Sequence, residues 1–313
     1  MADKKIATRE SYGAALADLG EKYDILVLDA DLSKSTKTEV FKKKFPDRFI
    51  NMGIAEANMM STAAGLASCG KIVFASSFAM FAAGRAFEQI RNSICYPCLN
   101  VKIGATHAGI SVGEDGATHQ CLEDIGIMRT LPNMVIMNPA DDTEAKACVE
   151  AAVKHDGPVY LRFGRLGVPV LFDENYKFEM GKGVQLKDGS DVTLVATGLL
   201  VGTALEAAEL LKNEGISARV VNIHTIKPID KEIITKASLE TGALVSCEEH
   251  NIIGGLGSAV AEVLCENAPA PLMRVGTEDV FGRSGKPAEL FEIYGLTAAS
   301  IAQKAKKAIA MKK

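Results

Sequence analysis

KIVFASSFAMFAAGRAFEQIRNSICYPCLNVKIGAT, residues 71–106, decides the fold class of this chain. It contains a short apolar run at 71–77, a stretch with helical spacing of apolar residues at 84–94, and a second apolar run at 100–106. Short apolar runs indicate buried strands, and apolar residues three and four apart indicate a helix. Two such strands joined by a helix are typical of a parallel sheet covered by helices on both faces. The sequence therefore predicts an α/β fold.

The same alternation recurs along the chain and predicts two domains. Further strands are predicted at 24–30, 134–140, 158–164, 191–198, 218–225, 242–249 and 272–278. Further helices are predicted at 55–70, 141–155, 203–215, 254–264 and 297–313, the last with a threonine cap. Residues 167–190 contain glycines, a proline and charges but no sustained period. We predict a first domain at 1–175, a linker at 176–190 and a second domain at 191–313, each a mostly parallel sheet flanked by helices.

Composition and charge exclude several classes of partner. The 313 residues are 48% hydrophobic and 24% charged, with a formal net charge of −4, which is typical of a globular protein. The chain has no run of lysine or arginine that could follow a phosphate backbone, so nucleic acid is not expected. It also has no apolar stretch of about 20 residues and no signal-peptide pattern at MADKKIATRE. We expect no membrane association and a cytoplasmic location.

The chain has seven cysteines, most of them in apolar surroundings, which predicts reduced core residues. Cys95 and Cys98 form a CxxC pair. Such a pair is compatible with half of a zinc site or with a redox pair, but no second CxxC or closely spaced histidine pair completes it. We therefore favour reduced core residues for Cys95 and Cys98 as well, and predict no metal site built from this chain.

Glu56 follows a strand-like segment and begins a strongly apolar helix. One interpretation is that its charge only complements the positive end of the helix dipole, which contributes about 0.3–1 kcal/mol. The other is that apolar neighbours remove it from water, so that it holds or shares a proton at neutral pH. Spacing alone leaves both open.

Residues 104–120, GATHAGISVGEDGATHQ, combine two histidines, two acids and four glycines directly after a predicted strand. Ligands bind at the strand-end loops of parallel sheets. The glycines already allow the turns, so His107 and His119 add little to the structure. We therefore favour a functional loop, although each histidine alone is equally compatible with a hydrogen-bonded loop residue.

Aromatic and basic residues supply further candidates. Phe78 and Phe81 lie three residues apart. Aromatic residues at this spacing more often belong to the hydrophobic core than to a surface on which a ligand stacks. Arg9, Arg162 and Arg165 occur at predicted strand or loop ends. Arginines there suit a phosphate or sugar ligand, although most surface arginines are only solvated.

Several motifs occur in the order seen in the C-terminal two-thirds of transketolases. They are IATRESYG (6–13), ADLSKST (30–36), FPDRFINMGIAEANM (45–59), SSFAMFAAGRAFEQIR (76–91), GATHAGISVGEDGATHQ (104–120), LRFGR (161–165), EEH (248–250), GGLGSAV (254–260) and GRSGKPAEL (282–290). The chain thus resembles the pyrimidine-binding and C-terminal domains of that family. The GIAE segment is shared with related thiamine diphosphate enzymes, whereas the histidine-rich loop is more particular to transketolase.

The resemblance implies a missing part. The family's diphosphate-binding domain is marked by a GDG motif, and this chain has none. The resemblance therefore implies a separate N-terminal partner chain that binds most of the metal, Mg2+ or else Ca2+ or Mn2+, and the diphosphate of the cofactor. Because family sites form between protomers, it also implies homodimerisation within an α2β2 assembly.

The resemblance further implies roles for individual residues. Glu56 matches the glutamate that hydrogen-bonds the pyrimidine ring of thiamine diphosphate and favours the tautomer that removes the C2 proton. Phe78 and Phe81 match the aromatic pocket for the pyrimidine. Some members have a third aromatic residue in this pocket, and the nearby Gly84 is not one. The residues that match the sugar-phosphate site are Arg9, Ser35, His107, Asp115 and Arg165, with Asp115 near a hydroxyl and the others toward the phosphate. His119 matches a histidine near the reacting hydroxyls.

The implied reaction is transfer of a two-carbon ketol unit from a ketose phosphate to an aldose phosphate, as in the pentose phosphate pathway. Two related enzymes remain as alternatives, deoxyxylulose phosphate synthase and the β chain of a 2-oxo acid dehydrogenase, and the histidine-rich loop argues against both. A non-catalytic partner chain is a third alternative. The presence of Glu56, His107 and Asp115 argues against that.

Overall fold

The computed structural model describes residues 5–312, so residues 1–4 of the amino-terminal segment and Lys313 lie outside the described part. Its strands are β1 (Lys5–Ala7), β2 (Ile25–Asp29), β3 (Phe49–Asn51), β4 (Ile72–Phe78), β5 (Val101–Thr106), β6 (Val135–Met137), β7 (Val159–Arg162), β8 (Gly167–Pro169), β9 (Val184–Lys187), β10 (Val192–Ala196), β11 (Ala218–Asn222), β12 (Thr225–Lys227), β13 (Leu244–Asn251) and β14 (Leu272–Thr277).

The helices alternate with these strands. They are α1 (Thr8–Leu19), α2 (Ser33–Thr36), α3 (Glu39–Lys44), α4 (Glu56–Ser68), α5 (Phe87–Gln89), α6 (Asp124–Arg129), α7 (Asp142–Lys154), α8 (Leu200–Asn213), α9 (Lys231–Thr241), α10 (Leu256–Asn267), α11 (Pro287–Ile293) and α12 (Ala298–Ala310). Short 3-10 turns occupy Pro46–Arg48 and Ile110–Asp115. The predicted threonine cap is confirmed, because the Thr297 side chain accepts a hydrogen bond from the Ser300 amide.

Two mostly parallel sheets organise the chain. The first has the strand order β12-β6-β7-β5-β4-β2-β3 and the second β14-β13-β10-β11-β9, while β1 and β8 form a small antiparallel pair. Each large sheet has an antiparallel strand at one edge, β12 on β6 and β9 on β11. The central strands β5 and β10 are buried along their whole length, as expected for strands covered on both faces. The predicted fold class is confirmed.

The boundary between the sheets differs from the prediction in two places. Val184–Lys187, inside the predicted linker at 176–190, forms β9 and pairs with β11 of the second sheet. Conversely Thr225–Lys227, inside the predicted second domain, forms β12 and extends the first sheet beside β6. Both strands are too short to show a periodic pattern, and their pairings are long-range. The linker therefore contributes an edge strand to the second sheet, and the second domain contributes an edge strand to the first sheet.

The predicted helix at 84–94 is also different in detail. Met80–Arg85 and Ile90–Cys95 form π-helical turns on either side of the short helix α5. A π turn admits an extra residue into helical structure and occurs frequently at functional sites. Apolar spacing cannot distinguish such turns from a regular α-helix. The first of them directly follows β4 and Phe78.

The cysteines are free, but the prediction that they are core residues is only partly right. Cys69, Cys98 and Cys265 are exposed, because they lie at a helix end, in a turn and on the outer face of α10. Within residues 5–312, no group of three or more histidine, cysteine or acidic side chains is arranged to hold a metal ion. No helix in the same range is long and apolar enough to cross a bilayer.

Arg162, at the end of β7, joins the two domains through buried polar contacts. Its Nε donates to Asp124 at 2.8 Å, and its Nη2 donates to the main-chain oxygen of Glu249 in β13 at 2.9 Å. The Glu249 carboxylate in turn accepts from the Ser111 amide at 2.6 Å. Burial alone raises the pKa of Asp124, but Arg162 and His250 outweigh it, so the pKa lies below its ordinary value. Arg162 is therefore a structural cation and not the surface ligand that its sequence position allows.

We expect Arg162→Met to lower the free energy of unfolding by about 3–5 kcal/mol, because it leaves the Asp124 carboxylate buried without its partner. Urea denaturation followed by circular dichroism measures this. Lys154→Met is the matched control, since it removes an exposed ion pair with Glu150, and it should change stability little. A small effect of Arg162→Met would show that the buried pair is not what holds the domains together. The contribution is present above the unfolded pKa of about 3.9 and is lost as pH falls through the lower folded value.

Candidate functional site

Glu56 is the first residue of α4, and the residue is 3% exposed. Within residues 5–312 no backbone amide donates to it, so it does not cap its own helix. It faces the end of β4, where Ser77 Oγ lies at 3.5 Å, and Arg85 Nη1 lies 3.4 Å from each carboxylate oxygen. Its polar contacts are therefore with side chains outside α4, while its place in the first turn still suits the helix dipole. These long distances leave lone pairs of a buried carboxylate free for another donor.

Two phenylalanines form a wall beside Glu56. Phe78 ends β4 and Phe81 lies in the first π turn, with ring centroids 6.0 Å apart and planes 17° apart. The Arg85 guanidinium lies 4.2 Å above the Phe81 ring, at cation–π distance. Phe81 and Arg85 line a cavity of about 660 Å³. Gly84 also lines it.

The loop at 104–120 leaves β5 and folds over this wall. His107 has φ +56, and Gly109, Gly113 and Gly116 also have positive φ. Such a backbone is uncommon for a residue with a side chain and tends to cluster at functional sites. The His107 ring stacks on Phe78 with centroids 3.8 Å apart, whereas His119 lies edge-on to Phe81 at 5.2 Å. Both predicted histidines therefore reach the aromatic wall.

Two arginines, Arg9 and Arg165, lie against this loop and form the positive end of the site. Arg9 Nη1 donates to the main-chain oxygen of Ser35 at 2.9 Å and to His107 Nε2 at 3.0 Å. Arg165 lies against the same loop, donating to the Val112 carbonyl and pairing with Glu114 at 3.7 Å. Burial, with Arg165 adding to it, lowers the pKa of Arg9. Burial, reinforced by Arg9 and then Arg165, lowers the pKa of His107 to about 3.

Most of the predicted site residues form one chain of contacts. Phe78, Phe81, His107, His119, Arg9 and Ser35 are joined as described, although Ser35 takes part through its carbonyl. Glu56 reaches the wall through Arg85, which stacks on Phe81. Asp115 is exposed at the end of the 3-10 turn, and among residues 5–312 no hydrogen bond ties its side chain to the rest of the site.

Two residues of the site were missed by sequence reasoning. Arg85 lies four residues after Phe81, so the spacing of a helical pair was available as a signal. Gln120 ends the loop, and its Nε2 lies 3.0–3.2 Å from the carbonyl oxygens of Ile110, Gly113 and Arg283, which share its two N–H donors. The last of these belongs to the second domain, which no local pattern reveals. Ser284 adds a second link by donating to the Glu114 carbonyl at 2.6 Å.

We expect Gly282→Ala to loosen the loop, because an added Cβ would overlap the Gln120 side-chain oxygen. Overpacking of this kind costs about 1–3 kcal/mol. Hydrogen exchange at the amides of residues 110–120 measures the effect and should become faster. Gly202→Ala in α8 is the control, since a Cβ there meets nothing within 4 Å and alanine is favoured in a helix interior by about 1 kcal/mol. Equal exchange in both variants would contradict a buttressing role for the second domain.

The chain matches known proteins along nearly its whole length. The family "Transketolase, pyrimidine binding domain" matches residues 4–169, and "Transketolase, C-terminal domain" matches residues 181–301. A protein named as a transketolase C-terminal section from Methanocaldococcus jannaschii is 55% identical over 300 residues, which cover 95% of this chain and 94% of that protein.

Two further comparisons are informative. The 6-deoxy-6-sulfo-D-fructose transketolase subunit SqwH of a Clostridium species is 44% identical over 298 residues, covering 95% of this chain and 92% of that protein. A solved structure titled "Split gene transketolase, inactive beta4 tetramer" superposes with a TM-score of 0.93 at 57% identity, covering 98% of this chain and all of that one.

Proposed function

This chain belongs to the transketolase family, and we propose that it is the C-terminal subunit of a split transketolase that becomes active with a separate diphosphate-binding chain. The observation that carries the proposal is the buried Glu56 carboxylate beside the stacked rings of Phe78 and Phe81. The reaction would move a two-carbon ketol unit from a ketose phosphate to an aldose phosphate. The split of the chain into two functional units within 176–190 is part of this proposal.

The residues present fit thiamine diphosphate. Glu56 is buried, yet its nearest polar contacts are at 3.4–3.5 Å, so it can accept a shorter hydrogen bond from a ring nitrogen. The phenylalanine wall offers aromatic faces to a planar heterocycle. Bound thiamine diphosphate would supply the electron sink for cleaving the carbon–carbon bond. In this chain, Glu56 would hold the proton at the pyrimidine nitrogen, and Phe78 and Phe81 would orient the ring and exclude water.

The loop and the positive end suit a sugar phosphate. Arg9 and Arg165 would bind the terminal anion, with Ser35 and His107 beside them, and Asp115 would contact a hydroxyl. His119 is half-buried and lies beside Phe81, where it could move a proton to or from a reacting hydroxyl. The related subunit named for a sulfonated sugar indicates that the terminal anion varies within the family, so the position of this chain in the pentose phosphate pathway is part of the proposal.

A partner chain is supported by the sequence and by the relatives. The family's GDG motif is absent from the 313 residues. The similar solved structure is described as an inactive tetramer of one chain type from a split gene. We propose an N-terminal subunit that holds the diphosphate and a Mg2+ ion, joined to this chain in an α2β2 assembly.

We expect purified chain alone to show no ketol transfer, and addition of the complementary chain, thiamine diphosphate and Mg2+ to produce it, because half of the site is supplied in trans. The assay offers xylulose 5-phosphate with ribose 5-phosphate. Full activity of the isolated chain would refute the split site. In the same assembly, consumption only of pyruvate with glyceraldehyde 3-phosphate would favour the synthase alternative, and inactivity with every pair would favour a non-catalytic partner.

We expect Glu56→Gln to slow hydrogen–deuterium exchange at C2 of the bound cofactor by about 10²–10⁴-fold, the usual contribution of a positioned proton-transfer group. Proton NMR of quenched samples of the assembly measures the rate. Glu123→Gln is a matched control, because Glu123 is exposed and lines the cavity beside Phe81 and Arg85. If both variants exchange at the wild-type rate, Glu56 does not have this role.

A further inference from the structure

Arg85 contacts both parts of the proposed cofactor pocket. Its guanidinium carbon lies 4.2 Å from the centre of the Phe81 ring, and its Nη1 lies 3.4 Å from each oxygen of the Glu56 carboxylate. The guanidinium group is planar and always charged, and it stacks on aromatic faces while it donates to carboxylates. One planar cation of this chain therefore connects the phenylalanine wall with the buried acid.

Under the proposed function, the pyrimidine ring of thiamine diphosphate needs the same two groups. It would pack on the phenylalanine wall and donate to Glu56. The guanidinium of Arg85 lies on the Phe81 ring at a distance where a second aromatic ring would pack, and it is directed at both carboxylate oxygens. Arg85 and the pyrimidine ring would then compete for one face of Phe81 and for one acid.

The contacts of Arg85 are weak enough to be released. Its side chain is 55% exposed, whereas that of Glu56 is 4% exposed. The distances of 3.4 Å are longer than the usual N–H···O range of about 2.7–3.2 Å. A buried carboxylate nevertheless needs a counter-charge, and no other basic side chain among residues 5–312 pairs with Glu56. Arg85 thus supplies a counter-charge that a better-placed donor can replace.

The structure also has room for a displaced Arg85 side chain. Arg85 is the last residue of the π turn Met80–Arg85, and it lines the cavity of about 660 Å³ beside Gly84. Two exposed acids, Glu123 and Asp279, line the same cavity. Rotation about the side-chain bonds would therefore move the guanidinium from one acidic neighbour toward others without a change in the main chain.

We propose that Arg85 is a latch on the cofactor pocket: in the free chain its guanidinium occupies the place between Phe81 and Glu56 that the pyrimidine ring takes, and the bound cofactor displaces it into the neighbouring cavity. A protein that must first open such a latch binds its ligand more weakly, in proportion to the fraction of molecules that are open. The inference rests on the proposed function for the identity of the cofactor, whereas the stack and the ion pair belong to this chain.

The first test uses the full chain without cofactor or partner. NMR of 15N-arginine-labelled protein resolves the Nε–H signals of the guanidinium groups, and the signal that is lost in Arg85→Ala belongs to Arg85. We expect this signal to be shifted upfield by the Phe81 ring, with slow rotation about the Nε–Cζ bond, and we expect Glu56→Gln to make that rotation faster. A freely rotating group without a ring shift in the wild-type chain would overturn the proposal.

The second test measures the dissociation constant of thiamine diphosphate by isothermal titration calorimetry, in the assembly with the partner chain and Mg2+. We expect Arg85→Ala to lower this constant about three- to tenfold, the population shift that a half-exposed contact of this kind can produce. Arg91→Ala is the matched control, because Arg91 is an exposed arginine of the second π turn and its guanidinium contacts Asn92. This variant should bind the cofactor as the wild type does.

The direction of the change in affinity distinguishes a latch from a ligand. In the wild-type assembly, saturation with the cofactor should also abolish the ring shift of the Arg85 signal. Weaker binding by Arg85→Ala would make Arg85 a cofactor ligand, and an unchanged dissociation constant would show that Arg85 does not compete; either result overturns the proposal. Failure of every variant to bind thiamine diphosphate would refute the proposed function together with the latch, whereas normal binding with an unaltered Arg85 signal refutes the latch alone.

Discussion

The buried guanidinium of Arg162 is the interaction on which the arrangement of the site depends. It ends β7 in the first sheet, pairs with Asp124 at the start of α6, and reaches the main chain of β13 in the second sheet. A buried ion pair adds little net stability compared with apolar packing, but it tolerates few alternative geometries. The Glu249 carboxylate beside it receives the Ser111 amide. The position of the second domain thus sets the position of the loop over the aromatic wall.

That loop needs external support because its backbone is strained. A non-glycine residue with positive φ costs about 1–3 kcal/mol and persists only where neighbouring contacts determine it. His107 is such a residue, and Phe78, Arg9 and Thr106 fix its ring. At the other end of the loop, the three carbonyls bound by Gln120 serve the same purpose. The second domain therefore holds the loop in place, and its residues Asn251, Asp279 and Phe281 also line the cavity beside Phe81 and Arg85.

How much the sequence could predict follows from the range of each interaction. β5 and β10 were predictable because burial on both faces leaves an uninterrupted apolar run. β12 was not, because three residues have no period and their partner β6 is distant in the chain. Arg162 and Arg165 have the same local pattern in LRFGR, yet one is buried between domains and the other lies against the loop. The residues of the candidate site came from motif resemblance, whereas their hydrogen bonds required the fold.

Several buried polar atoms have no hydrogen-bond partner within residues 5–312. Asn222 Oδ1 and His224 Nε2 have no partner among residues 5–312 and lie in the second domain, next to the first. Arg9 Nε is also without a partner in that range, but it lies at the positive end of the site. A buried donor without a partner costs about 1–3 kcal/mol, and more when it is charged. Under the proposed function, an anionic substrate beside Arg165 would supply the missing partner. The Glu56 carboxyl group is likewise buried with polar contacts only at 3.4–3.5 Å, and under the proposed function the cofactor would supply a closer one.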